Sequence, residues 1–357
     1  MKQSLSKNPK DFLMGTDSEY IIRSGRKVIK ASDYVSIEEP FGRDANGFIF
    51  EVKSEPGDPV QVVESLKNIL NSGAQKFPEL TEFNWQAGSF VCGQPLGGHI
   101  HFGIKKMIIS PEDAAKQFLD HYVGAVSVLL EDKKQGLSRR AYNLSPGGNK
   151  VSYGKSGDVR LKKHGFEYRT CSSFMTSPEV AKGILCLGKV VMFEVINNPS
   201  FSPRVYIEPE DFVQMNIEKI RARFDSLWAD IQRMILYPKY RQELRVVYDL
   251  IVNGKSWVSR RDMKDTWGIK IIPVAASRNT KQAKDLNDFE LFLKKLDEGY
   301  ELPLKPKKMP PIVKEVKIAP VVKRRKIVKA PPKKDSDNSS YFYDYTSPLK
   351  NEWLQND

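Results

Sequence analysis

Three cysteines (Cys92, Cys171 and Cys186) and four histidines are all that 357 residues contain. A small, odd number of thiols does not build a disulfide framework, so a reducing, cytoplasmic setting is expected. No run of about 18 apolar residues occurs, and no membrane span is expected. The first ten residues are polar and basic with no apolar stretch after them, which predicts no secretory signal. Lysine and arginine, by contrast, are plentiful: 57 against 44 Asp and Glu, for a net charge of +13. That excess is unevenly placed. Residues 303–334 hold ten Lys and two Arg against one Glu, or +11, whereas residues 1–302 carry only +6. The acidic-polymer partner that the net charge suggests therefore attaches to a tail, and the body needs its own reading. At 40% hydrophobic, that body is long enough to bury the core of one large domain or two ordinary ones.

From residue 12 to about 170, short strands alternate with Gly-, Pro- and Asn-bearing turns, and two helical stretches interrupt them. Residues 59–71 place apolar side chains at helical spacing. Ser110-Pro111 is an N-cap followed by proline at the first helical position, opening a helix expected to run to about 132. Ser177-Pro178 repeats that signal before the apolar stretch 180–195. Residues 210–235 have strong 3.6-residue periodicity, and 241–252 and 284–296 read as further helices. The stretch 303–334 contains seven prolines among its cations, which predicts an extended, disordered linker. The aromatic segment after it (SSYFYDYTSPLKNEW) reads as a short docking anchor.

Four short segments put charge on one side of a strand. In GTDSEY (15–20) Asp17 and Glu19 share a face, and in FIFEVK (48–53) Glu51 and Lys53 do, opposite Phe48, Phe50 and Val52. In GGHIHFG (97–103) both histidines, His99 and His101, point away from Ile100 and Phe102. In GFEYRT (165–170) Glu167 and Arg169 oppose Phe166 and Tyr168. A solvated sheet face is usually a mixture of Thr, Lys, Gln and Ser. Four carboxylates on one concave face repel each other and call for neutralising cations. None of the four segments contains cysteine, which disfavours structural zinc, and carboxylates outnumbering imidazole suit Mg²⁺ or Mn²⁺. Arg169, together with Arg160 and Lys155 in the glycine-bearing run 153–160, supplies forks and charges that fit phosphate oxygens. Metal ligands and phosphate-binding cations around one cleft point to ATP.

Taken singly, each piece has an ordinary reading. Asp17 and Glu19 alone would be a solvated face, His99 and His101 a buried and a surface imidazole, and Glu167 with Arg169 a surface ion pair. The GRDANG turn (42–47) reads as a hairpin in which Asp44 accepts backbone hydrogen bonds. His121 and His164 read as structural or surface, and Cys171 has no base beside it.

The ordered set GTDSEY, GRDANGFIFEVKSEP, GGHIHFG and GDVRLKKHGFEYRTCSSF resembles the phage-type carboxylate-amine ligases (amidoligases), relatives of glutamine synthetase and glutamate-cysteine ligase, over residues 12–175. The resemblance implies an α+β fold: a glutamine-synthetase-like curved antiparallel sheet, a partial barrel, with packed helices. Its concave face would hold Mg²⁺ or Mn²⁺ ions against ATP. By that resemblance Asp17, Glu19, Glu51, His99 and Glu167 are metal ligands and His101 a nucleotide contact. Arg169 is similar to the arginine on the transferring phosphate and Arg160 to an upstream phosphate or substrate arginine; Lys155 is read beside them as a nucleotide contact, and Glu51 joins Arg169 and Arg160 in the catalytic set. Lys53 stands where related ligases often carry arginine.

The expected organisation is a catalytic sheet at 1–175, a helical region completing the same domain at 176–302, the basic linker at 303–337 and the aromatic segment at 338–357. The expected partners are ATP, a carboxylate and an amine of unidentified source (amino acid, peptide or protein side chain), and a second copy of the chain. The tail would contact nucleic acid or protein, and the setting is the host cytoplasm if the chain is phage-encoded. Two other classes compete: a metal-dependent hydrolase using the same cleft, and a nucleic-acid-binding or virion-associated protein acting through the tail.

Overall fold

The alternation read in the charged segments produces a single antiparallel sheet. In the computed structural model, which describes residues 10–142, 153–256 and 262–270, the sheet runs β3 (Phe41–Arg43), β4 (Phe50–Lys53), β1 (Met14–Ser24), β8 (Gly98–Phe102), β10 (Gly165–Tyr168) and β9 (Val159–Lys162). Two short strands, β2 (Lys27–Val28) and β5 (Asn84–Gln86), pair with the far half of β1, and β6 (Phe90–Val91) and β7 (Gln94–Pro95) form a separate hairpin. The candidate helix at 284–296, the linker and the aromatic segment lie outside the described residues.

One face of the sheet is apolar. Met14, Tyr20, Phe50, Val52, Ile100, Phe102, Phe166 and Tyr168 are completely buried, with Tyr20 stacked between Phe50 and Trp85 at 5.6 Å from each. Each such ring removed from water stabilises the fold by on the order of 2 kcal/mol. The helices α1 (Pro59–Lys76) and α5 (Pro178–Asn197) pack together behind the sheet, and α5 is apolar nearly all round because α9 (Tyr237–Val252) covers its other side. This is the expected mixed architecture of a large antiparallel sheet with packed helices. No helix among the described residues is long and apolar enough to cross a membrane.

The helices differ from their sequence signals in instructive ways. Ser110 and Ser177 cap as expected, each accepting from the backbone N–H three residues on. A helix not foreseen, α4 (Lys133–Ala141), begins at Asp132, whose side chain accepts from the Gln135 N–H. The periodic stretch 210–235 is not continuous but breaks into α6 (Pro209–Val213), α7 (Ile217–Arg221) and α8 (Phe224–Ile231). Met215 adopts a left-handed φ of 50° there, and Asn216 bonds back to the Asp211 carboxylate and carbonyl. Further on, α10 (Met263–Trp267) lies beside β5, where Trp267 donates to the Met175 carbonyl. Phe48 sits in the turn before β4 and is largely exposed rather than facing the core with Phe50.

The helix opening at Ser110 starts as α2 (Pro111–Ala114), widens to π-helical winding over Ala115–Gly124 and ends as α3 (Ala125–Leu130). Within this wider turn three consecutive buried side chains bond in three directions: Asp120 to the sheet, His121 to the Ile207 N–H, and Tyr122 to Asp230. Burial pushes the His121 imidazole down to about 4, below the 6.5 of an exposed ring, so the unfolded chain takes up the proton first. Stability should fall as pH drops from about 6.5 to about 4, by on the order of 2 to 3 kcal/mol from this ring. Denaturant melts of wild type and His121→Gln across that window check this: the variant should show a shallower loss, and equal slopes would clear His121 of the effect.

Candidate active site

The face of the sheet opposite the aromatic layer carries the charged residues. Asp17 on β1 is paired with Lys53 on β4 and His99 on β8, and Glu19 is paired with Glu51. His101 lies between Gly15 and Glu167, and Glu167 in turn faces Arg160 on β9. Paired residues and residues two apart share a face, so four strands with no local relation in sequence deliver one cluster. Beyond Glu19 the same face closes over a small apolar cluster of Ile21, Ile49, Val91 and Leu96.

The contacts are close. His99 Nδ1 is 3.1 Å from Asp17 Oδ1 and 3.4 Å from Glu167 Oε1, and His101 Nε2 is 3.0 Å from the same Asp17 oxygen. On the β10–β9 side Glu167 gathers Lys162 at 3.0 Å, Arg169 at 3.3 Å and Arg160 at 3.4 Å. On the β4 side Lys53 pairs with Glu51 at 2.6 Å. Two sets of side chains place one ligand atom each within 4.8 Å of one another: Asp17, His99 and Glu167, and Glu19, Glu51 and His99. Lys155 stands apart: it is exposed on the 153–158 turn and has no ion pair with a described residue.

The electrostatics divide the cluster. Burial pushes the Asp17 carboxyl up, but the charges of His101 and His99 outweigh it and hold the group well below the usual carboxylate range. Glu167 is lowered in the same way: burial and Asp17 oppose ionisation, and His99, His101 and Arg169 prevail. Glu19 and Glu51 have no such surplus of cations. Burial, with the charges of Asp44 and Glu51, drives Glu19 well up, and burial with the charge of Asp17 brings Glu51 to about 7. The buried Glu167 Oε1 and His101 Nε2 have close neighbours but no aligned hydrogen bond. A hard divalent cation fits this donor set, since buried carboxylates that repel one another and unsatisfied ligand atoms are what such an ion neutralises.

Several sequence expectations change here. The two glycines before the histidines have no room for a side chain. A Cβ on Gly97 would come within 2.3 Å of His99 Nε2, one on Gly98 within 2.5 Å of the Ser172 carbonyl, and the Gly97 N–H donates to Glu19 at 2.6 Å. In the GRDANG turn it is Asn46, not Asp44, whose side chain accepts from the Phe48 and Ile49 N–H groups. His164 is not a bystander: its ring stacks on His101 with centroids 5.4 Å apart, and its Nε2 is 3.3 Å from His101 Nδ1. Burial and the charge of His101 press it down to about 4, which keeps it neutral. Cys171 is wholly buried in the apolar core, its thiol pushed up to about 12 by burial, and has no part in the cleft.

Two residues around the cluster escaped sequence reasoning. The Tyr153 hydroxyl donates to both Glu19 oxygens at 3.2 Å and lies 3.4 Å from His99 Nε2. Its ring rests 4.9 Å from the guanidinium of Arg139, a fully buried arginine that donates to the carbonyls of Leu96, Thr170 and Cys171. Arg139 thus ties the start of β8 to the end of β10. The following residue, Arg140, is spent on a buried bidentate pair with Glu131. An arginine doublet on a helix gives no sign of either role.

No curated protein matches the sequence. Among solved structures, the complex between prokaryotic ubiquitin-like protein Pup and its ligase PafA is similar at 9% identity and a TM-score of 0.46, over 68% of this chain and 63% of that one, less than two thirds of its length. The family model described as phage phiEco32-like COOH.NH2 ligase-type 2 matches residues 14–269, which include every strand of the charged cluster. The chain belongs to that family of carboxylate-amine ligases.

Proposed function

We propose that the protein is an ATP-dependent ligase that joins a carboxylate to an amine through an acyl phosphate, on a sheet equivalent to the curved catalytic sheet of the glutamine-synthetase relatives. The observation that carries this reading is the set of four carboxylates and two histidines held on one buried sheet face, acidic towards β4 and cationic towards β9. Asp17, His99 and Glu167 form one ligand set for Mg²⁺ or Mn²⁺, and Glu19 and Glu51 form a second. A neutral imidazole offers one lone pair, so His99 completes one set at a time. When bound, the ions would offset the repulsion between the two anionic reactants and polarise the phosphate oxygens.

The side chains of this protein divide the remaining work. Arg169 and Arg160, with Lys162, neutralise the transferring phosphoryl group, and His101 with Lys155 contacts the nucleotide. A substrate carboxylate oxygen attacks the γ-phosphorus, the bond to the bridging oxygen breaks and ADP leaves. The amine nitrogen then attacks the acyl carbon, the C–O bond to the phosphate breaks, and the amine proton leaves with the departing phosphate. The apolar cluster beyond Glu19 keeps water from that end of the cleft and so protects the acyl phosphate. Residues 10–175 and the helices after 176 act as one catalytic domain in this reading, the setting is cytoplasmic, and the acceptor is an amino acid, a peptide or a protein side chain.

Incubation with ATP, Mg²⁺ and panels of amino acids and peptides should release ADP and phosphate only when both a carboxylate and an amine are present. Cleavage of a substrate without nucleotide would select the hydrolase instead. Absence of any Mg·ATP binding by calorimetry would remove the basis of the ligase reading.

A further inference from the structure

The site residues on the cationic side do not stand on regular structure alone. Lys155 and the approach to Arg160 lie on the 153–158 turn, which contains two glycines in the left-handed region, Gly154 at φ 70° and Gly157 at φ 69°. A turn of this kind has little to hold its shape except what its backbone is fastened to. Its main fastening is Asp120, on the π-helical segment. One carboxylate oxygen, Oδ2, accepts from the Ser156 hydroxyl at 2.5 Å and from the Gly157 N–H at 2.6 Å. The other, Oδ1, accepts from the Tyr168 hydroxyl at 2.7 Å, on the strand that carries Glu167. The Thr170 hydroxyl is within donating distance of both Oδ1, at 3.3 Å, and the Lys155 carbonyl, at 2.9 Å. The Arg169 N–H closes the assembly on the Asp158 carbonyl at 2.8 Å. Asp120 is 1% exposed, and burial lifts its carboxyl to about 6 against the pull of those donors. Nothing in the proposed chemistry uses this carboxylate directly, yet a buried aspartate is retained where an apolar residue would cost less to bury.

We propose that Asp120 is a positioning residue for nucleotide binding: its two oxygens fasten the 153–158 turn to strand β10 and so fix Lys155 and Arg160 relative to Glu167 and Arg169. This rests on the reading of those cations as phosphate contacts. The two oxygens make the assignment separable, because one serves the turn and the other the strand. Ser156→Ala removes a bond on the turn side only, and Tyr168→Phe one on the strand side only.

Three variants of the full chain, Asp120→Asn, Ser156→Ala and Tyr168→Phe, would be compared by melting temperature, by calorimetric binding of the β,γ-imido analogue of ATP with Mg²⁺, and by hydrogen–deuterium exchange of the peptide spanning 153–158. Asp120→Asn should weaken nucleotide binding about tenfold and Ser156→Ala about threefold. Both should speed exchange in the turn. Tyr168→Phe, which severs the strand end of the same tether, should weaken nucleotide binding about threefold while leaving exchange in the turn within about twofold of wild type. Losses that follow the melting temperature across all three variants, or an Asp120→Asn protein that binds as wild type does, would overturn the proposal. A wild-type protein that binds no Mg·nucleotide would instead overturn the ligase reading and the nucleotide role with it, leaving the exchange data to decide whether Asp120 holds the turn at all.

Discussion

Glu167→Gln should eliminate ATP-dependent turnover while leaving the protein folded. Glu167 is completely buried at the point where the two histidines meet three cations, with Oε1 3.4 Å from His99 and 3.3 Å from Arg169 and Oε2 3.0 Å from Lys162. The amide is nearly the same size, so packing is preserved. It removes the negative charge, however, and turns an N–H₂ group towards Arg169 and His99 or towards Lys162 and Arg160, whichever way it flips. Loss of an outer partner of a metal ligand alone costs about 10- to 100-fold in affinity or activity, so loss of a ligand should exceed about a hundredfold. Steady-state ADP release, read with a far-UV spectrum and melting temperature, measures this directly. A folded Glu167→Gln protein with wild-type turnover would remove Glu167 from the ligand set.

Arg169→Ala should give a different signature. Charge that develops on the transferring phosphoryl group is met by donors already in place, and removing one such donor typically costs about 10²- to 10³-fold in kcat. Arg169 is suited to this because its Nε lies 3.3 Å from the buried Glu167 carboxylate and its backbone N–H is tied to the Asp158 carbonyl. Nucleotide affinity should fall less than about tenfold, since the proposed arrangement leaves Arg160, Lys162 and Lys155 as contacts to the nucleotide. Equal losses in kcat and affinity would make Arg169 a ground-state contact. An unchanged kcat would place the phosphoryl group elsewhere in the cleft.

Much of the charged cluster was legible in the sequence because a strand has a period of two. Asp17 with Glu19, Glu51 with Lys53, and His99 with His101 each announce a shared face, and the sheet had only to bring those faces together. Residues acting across long separations had no such signal. Asp120 is one acid in an amphipathic helix, and nothing local reveals that winding widens there or that the residue meets a turn some 36 positions later. Arg139 and Tyr153 likewise look like a surface cation and a loop aromatic until the chain closes around them. The break of the 210–235 helix was hidden for a related reason. Apolar periodicity persists through Met215 because the short helices on either side bury the same stripe, so the pattern records the burial and not the continuity of the backbone.

The place of β9 in the sheet bears on how the two halves of the cleft respond to load. The carboxylates of β1 lie on a strand bonded on both sides, where opening is most costly. Arg160 and Lys162 lie on a strand with β10 as its one neighbour among the described residues, where opening breaks fewer backbone hydrogen bonds. The spacing of the anionic half is therefore set by the sheet itself, whereas that of the cationic half depends on a single hairpin and on the turn that Asp120 fastens ahead of it.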